Sequence, residues 1–171
     1  HTAREVGGDF YDFFDLPGGR IGVVIGDVSG KGMAAALFMA AARTAIRATA
    51  QIEPEPRECI GRANDFLSHD NTALMFVTAF YAVYDPKTGE FAYTNAGHNP
   101  PYIVSADRSR VRPLGGDTGI ALGVAENMAF TAEAGKLRPG EFLLLYTDGV
   151  TEAMDAAGRE FEDARLSQFL Q

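Results

Sequence analysis

The chain has 171 residues, 46% of them hydrophobic and 22% charged, with a formal net charge of −8. That length suits one domain that buries its core without disulfides or structural metal, and the acidic balance argues against nucleic acid as a partner, because phosphate binding relies on basic surface. No apolar run nears the ~20 residues that span a bilayer, and the start lacks a signal peptide's basic and apolar regions, so a cytoplasmic protein with no membrane partner is expected.

Residues 7–15 interleave aromatic and acidic side chains, Pro17-Gly18-Gly19 turns the chain, and residues 20–27 run back as a strand. This predicts a hairpin that can bring Asp9 near Asp27. Asp9 and Asp12 fall on opposite faces of a regular strand, so their convergence would need a bulge. After Asp27 comes a loop with Gly30 and Gly32, then an alanine-rich stretch that predicts a helix over residues 33–51 and a second helix over 57–68. Cys59, the single cysteine, reads as a packing residue of that second helix. The phosphate loop of cysteine phosphatases would need arginine six positions on, where Asp65 stands.

The pattern then changes to strands, predicted over residues 75–84, 90–95, 102–105, 110–114, 128–134 and 142–147, with a final helix from near Glu162. Short connections imply antiparallel pairing, and helices interrupting about eight strands imply two sheets flanked by helices.

Several chemistries fail on spacing. A P-loop would need glycine at position 25 and Ser or Thr at 32, where Ile25 and Gly32 stand, and the dinucleotide fingerprint would need glycine where Ala35 stands. His1, His69 and His98 form no zinc motif. Oxygen chemistry remains. Two apolar strands each end on an aspartate, Asp27 and Asp148, and Asp148 is followed at once by Gly149. With Asp9 they offer hard carboxylate donors suited to Mg²⁺ or Mn²⁺, with Asp12, Asp117 and Glu152 as further acids. A pair of such ions about 4 Å apart can acidify a bridging water as the nucleophile of an in-line phosphoryl displacement, without a covalent Ser or Cys.

Five motifs follow one another: residues 5–12 (Glu-Val-Gly-Gly-Asp-Phe-Tyr-Asp), 26–32 (Gly-Asp-Val-Ser-Gly-Lys-Gly), 75–78 (Met-Phe-Val-Thr), 95–101 (Asn-Ala-Gly-His-Asn-Pro-Pro) and 146–153 (Tyr-Thr-Asp-Gly-Val-Thr-Glu-Ala). In this order they resemble bacterial metal-dependent type 2C serine/threonine phosphatases of the SpoIIE/RsbU branch. The resemblance runs over nearly the whole chain. It implies an α+β fold, a sandwich of two antiparallel sheets flanked by helices, with a centre of two Mn²⁺ or Mg²⁺ ions. The implied substrate is a phosphoserine or phosphothreonine protein, in the best-known members a phosphorylated anti-sigma-factor antagonist. Sensor or receiver domains outside this stretch would regulate it.

Carried over by position, Asp27 would bridge the metals, the Val28 carbonyl and Asp148 would bind them, and Asp9 would reach one directly or through water. Asp27 and Asp148 are thus the expected catalytic centre. Arg4 and Lys31 are candidates for the substrate phosphate. Thr78, Asn95 and His98 are expected to be structural around the centre, His98 ordering its loop. The family pattern continues to a closing strand bearing Asp-Asp-x-Thr, whereas this sequence stops at Gln171. The expectation is therefore a single phosphatase domain, residues 1–171, truncated before that strand, with one metal position in doubt and an uncovered sheet edge that could pair chains as a homodimer. Two other functions compete: a non-catalytic phosphoprotein-binding or dimerising regulator of the same fold, and a hydrolase of small phosphates. Retention of Asp9, Asp27 and Asp148 favours the enzyme.

Overall fold

Strict alternation shapes strand β1 (Phe10–Leu16). Phe10, Asp12, Phe14 and Leu16 are buried while Tyr11, Phe13 and Asp15 are exposed. A strand turned by the 17–19 loop must pair with its successor, and β2 (Arg20–Val28) runs antiparallel to it with Phe10 opposite Gly26 and Leu16 opposite Arg20. These observations come from a computed structural model in which residues 7–171 are described.

Two units make up the chain. One runs up to His98 and returns for Asp117–Lys136; the other holds Asn99–Gly116 and Leu137–Gln171. In the first unit β3 (Val77–Tyr84), β4 (Glu90–Ala96) and β7 (Glu133–Lys136) extend the hairpin into a five-stranded antiparallel sheet of order β1-β2-β3-β4-β7. Helices α1 (Met33–Ile52) and α2 (Pro56–Ser68) pack on one face of it. The core of the unit lies between them: Phe10, Phe14, Val24, Val28, Ala79 and Tyr81 from the strands meet Ala35, Ala42, Ile46, Ile60 and Ala63 from the helices. Small alanines let α1 lie close to the sheet. Cys59 is wholly buried there, and burial pushes its thiol up to about 12, so it packs and does not react.

The second unit contains β5 (Tyr102–Val104), β6 (Val111–Pro113) and β8 (Phe142–Leu144), an antiparallel sheet of order β6-β5-β8, with the short α3 (Asp148–Thr151) and α4 (Glu162–Leu170). Its core gathers Tyr102, Val104, Tyr146 and Leu166.

The expected α+β class with two antiparallel sheets and helices is the one observed, and no described helix is long and apolar enough to cross a membrane. Two strands differ from expectation. The stretch 128–134 joins the sheet only from Glu133, because Phe130 and Met128 are drawn into the core and the Thr131 carbonyl is taken by the Thr94 hydroxyl at 2.9 Å, a side-chain bond in place of a ladder. The strand expected over 142–147 ends at Leu144, since Tyr146 turns inward to the core of the second unit and Asp148 already begins α3.

Candidate functional site

Antiparallel register decides what faces what. Phe10 pairs with Gly26, so Asp9 stands across from Asp27, one residue beyond the last paired position of β1. Residues opposite one another share a face. A carboxylate oxygen of Asp9 lies within 4.8 Å of one of Asp27; Asp9 is exposed and Asp27 half-buried. Phe10, Phe14, Leu16, Val24 and Val28 enter the core beneath α1, so the odd-numbered pair lies on the face away from the helices. Gly8 makes the approach feasible: a Cβ there would come within 2.6 Å of the Val28 carbonyl oxygen.

Beyond β2, Ser29 keeps the loop in register. Its amide donates to the Phe76 carbonyl at 2.9 Å, and its hydroxyl accepts from the Phe76 amide at 3.0 Å. Gly32, at φ 86°, adopts a left-handed conformation that other residues rarely accept and turns the chain into α1. Lys31 is exposed on this loop. Arg4 lies outside the described residues.

On the other side of β2, Asp27 pairs with Thr78 of β3. The Thr78 hydroxyl donates to the Asp27 carbonyl at 3.4 Å and lies 3.0 Å from Nδ1 of His98, which is buried. Asn95 brackets His98, its amide donating to the His98 carbonyl at 2.9 Å and its oxygen accepting from the His98 amide at 2.8 Å.

Asp148 belongs to the second unit. It is half-buried and opens α3, where its carbonyl accepts from the Glu152 amide at 2.7 Å and from the Thr151 hydroxyl at 3.1 Å. Two residues earlier, Tyr146 stacks on Tyr102 at 5.8 Å and donates to Asp163 of α4 at 2.9 Å, which fixes the chain leading into Asp148. Burial, with Asp163 beside it, raises the Tyr146 phenol above its ordinary pKa, so the hydroxyl remains a donor at neutral pH.

Asp12 does not converge with Asp9. β1 has no bulge, and Asp12 points into the helix-covered face. There Arg43 Nε donates to it at 3.1 Å, and Arg47 Nη1 donates to its two oxygens at 3.1 and 2.9 Å. Burial opposes the charge, but the two arginines outweigh it and hold the carboxyl below the ordinary range. Arg47 also lies 5.2 Å from the centre of the Phe14 ring. The arginines escaped sequence reasoning, although a signal existed: they are the only charges of α1, four residues apart on one helix face, and an inward acid in β1 needs a cation.

The donor set fits a hard divalent cation. Paired carboxylates at a strand end, beside a main-chain carbonyl at Val28, are oxygen ligands of the kind that hold Mg²⁺ or Mn²⁺.

Comparison with known proteins agrees in architecture and in sequence. The structure of the RsbU and RsbW domains of Rv1364c from Mycobacterium tuberculosis superposes with a TM-score of 0.82 and 32% identity, over 96% of this chain and 44% of that one. The fold is therefore that of an RsbU-like domain. The family model for SpoIIE, Stage II sporulation protein E, matches residues 17–171, and the chain belongs to this family. Protein IcfG of Synechocystis sp. is 34% identical over 98% of this chain and 30% of its own length. The phosphoserine phosphatase RsbU of Bacillus subtilis is 30% identical over 91% of this chain. This chain spans 46% of RsbU, less than half of either curated relative.

Proposed function

We propose that this chain is a single catalytic domain of a metal-dependent protein serine/threonine phosphatase. The observation that carries the reading is the Asp9–Asp27 pair. Just past the last rung of the β1–β2 ladder this chain brings two carboxylate oxygens within 4.8 Å of each other, and the Val28 carbonyl lies close to Gly8, the residue before Asp9. Together they offer a cation a set of oxygen ligands.

In this reading Asp9, Asp27, the Val28 carbonyl and Asp148 hold two Mn²⁺ or Mg²⁺ ions. Such ions lower the pKa of a water and neutralise charge developing on phosphoryl oxygens during in-line displacement. Asp27 fixes the centre from the rigid end of a nine-residue strand. Lys31 and Arg4 supply cations for the substrate phosphate. The substrate is a phosphoserine or phosphothreonine protein, such as a phosphorylated anti-sigma-factor antagonist, and regulatory domains outside this stretch control access to it in the cytoplasm. Membership of the SpoIIE family and the named activity of RsbU support this choice over hydrolysis of small phosphates.

The test is hydrolysis of a phosphoserine peptide by this chain with and without Mn²⁺, beside an Asp27→Asn variant. Metal-dependent release of phosphate that disappears in the variant supports the enzyme. Silence from the folded, Mn²⁺-loaded chain transfers the assignment to a non-catalytic phosphoprotein-binding regulator.

A further inference from the structure

The carbonyl of Asp27 is reached by a threonine, and that threonine by a buried histidine. Thr78 faces Asp27 across the β2–β3 ladder, so its side chain shares the carboxylate's face. Its hydroxyl donates to the Asp27 carbonyl at 3.4 Å. The same oxygen lies 3.0 Å from His98 Nδ1. A hydroxyl has one proton, so a relay that runs through it to the Asp27 carbonyl takes Nδ1–H as its donor, and the tautomer of the ring tests that direction.

The histidine is itself fixed. It is 2% exposed, and the Asn95 side chain closes a two-way bracket on its main chain. Asn95 bridges to Thr118, Gly97 bridges to Ala79 of β3, and the Asn95 carbonyl accepts from the Gly119 amide at 2.9 Å. A packed loop therefore holds the donor at the head of the chain, and the last acceptor is the main chain of a candidate metal ligand.

We infer that Thr78 and His98 are positioning residues that set the orientation of Asp27, and so of the adjoining Val28 carbonyl, for metal binding. The inference rests on the metal-centre reading above. Strand pairing fixes the path of β2, which sets Asp27 opposite Thr78 and Val28 opposite Val77. The Thr78 hydroxyl adds a side-chain bond to the Asp27 carbonyl, and the buried His98 in contact with the same hydroxyl holds it in place. Partners of this kind govern metal affinity without touching the metal.

The experiment compares the full chain with Thr78→Val, which keeps the shape and removes the hydroxyl, and with Thr78→Ser, which keeps the hydroxyl. Mn²⁺ binding is measured by calorimetry, the thermal midpoint is recorded without metal, and the His98 tautomer is read from its imidazole ¹⁵N shifts. The expected result is a loss of about tenfold or more in Mn²⁺ affinity for Thr78→Val, near wild-type affinity for Thr78→Ser, and an Nδ1-protonated ring in the wild type. Wild-type affinity in a folded Thr78→Val chain, or an Nε2-protonated ring, overturns the inference alone. Absence of Mn²⁺ binding by the wild type overturns the metal-centre reading with it. Should Thr78→Val fail to fold, either an Nε2-protonated wild-type ring or a weakened affinity in folded Thr78→Ser overturns the inference.

Discussion

The two faces of the five-stranded sheet treat carboxylates in opposite ways. On the helix-covered face one buried acid, Asp12, receives three hydrogen bonds from two arginines and belongs to the core. On the other face Asp9 and Asp27 bring two like charges within 4.8 Å of each other, Asp9 exposed and Asp27 half-buried. Three positions of chain separate Asp9 from Asp12, and the pleat alone sends them to different fates. An acid in a strand therefore declares its role by what its face offers.

Substitution should separate the faces in both sign and observable. Asp27→Asn is expected to lower Mn²⁺-dependent phosphatase activity by more than the about 100-fold typical of losing an outer-shell partner, with the folded state retained by circular dichroism. Asp12→Ala is expected to leave Mn²⁺ affinity unchanged while costing about 2–3 kcal/mol in urea unfolding, because two guanidinium groups lose their acceptor. Its pH signature follows from the depressed carboxyl. The unfolded chain binds the proton first, so the stability from Asp12 is fully present above about pH 4, the unfolded value, and is lost as pH falls through the lower folded value. Asp12→Asn should flatten that acid limb, and an unchanged limb would refute the arginine clamp. Arg47→Ala removes one of the two donors and the contact with Phe14, for about 1 kcal/mol. The smallest effect has the opposite sign: Asp9→Asn should stabilise the metal-free chain by about 0.2–1 kcal/mol, measured by the same unfolding, and should erase any stabilisation by added Mn²⁺. Equal destabilisation by Asp9→Asn and Asp12→Asn would remove the distinction between the faces.

Local pattern made much of this readable in advance. Period-two alternation and the Pro-Gly-Gly turn define the β1–β2 hairpin, and once the turn is placed the register carries Asp9 to Asp27. The alanine-rich helix and the Glu90 hairpin follow from propensity and turn chemistry in the same way. Long-range partnerships were not readable. Asp12 read as a further acid for the metal site because the arginines that claim it lie 31 and 35 residues away. The strand expected over 128–134 failed for a related reason: Met128 and Phe130 alternate because the core of the unit wants them, a pull that resembles strand periodicity without any ladder. Asp148 was legible as the end of an apolar run, but its place at the start of a helix was not, since a four-residue helix leaves too little sequence to show a period.

The route of the backbone also has a kinetic consequence. The first unit is interrupted: β4 ends at Ala96, β7 begins at Glu133, and between them the polypeptide builds β5 and β6 of the other unit. Strands β1 to β4 with α1 and α2 are close in sequence and can condense as they leave the ribosome, whereas β7 must wait for the whole excursion to be synthesised and its loop closed. Until then β4 carries an unpaired edge. Pulse-labelled amide exchange during refolding should find the β1–β2 hairpin and α1 protected first and the β4–β7 ladder last.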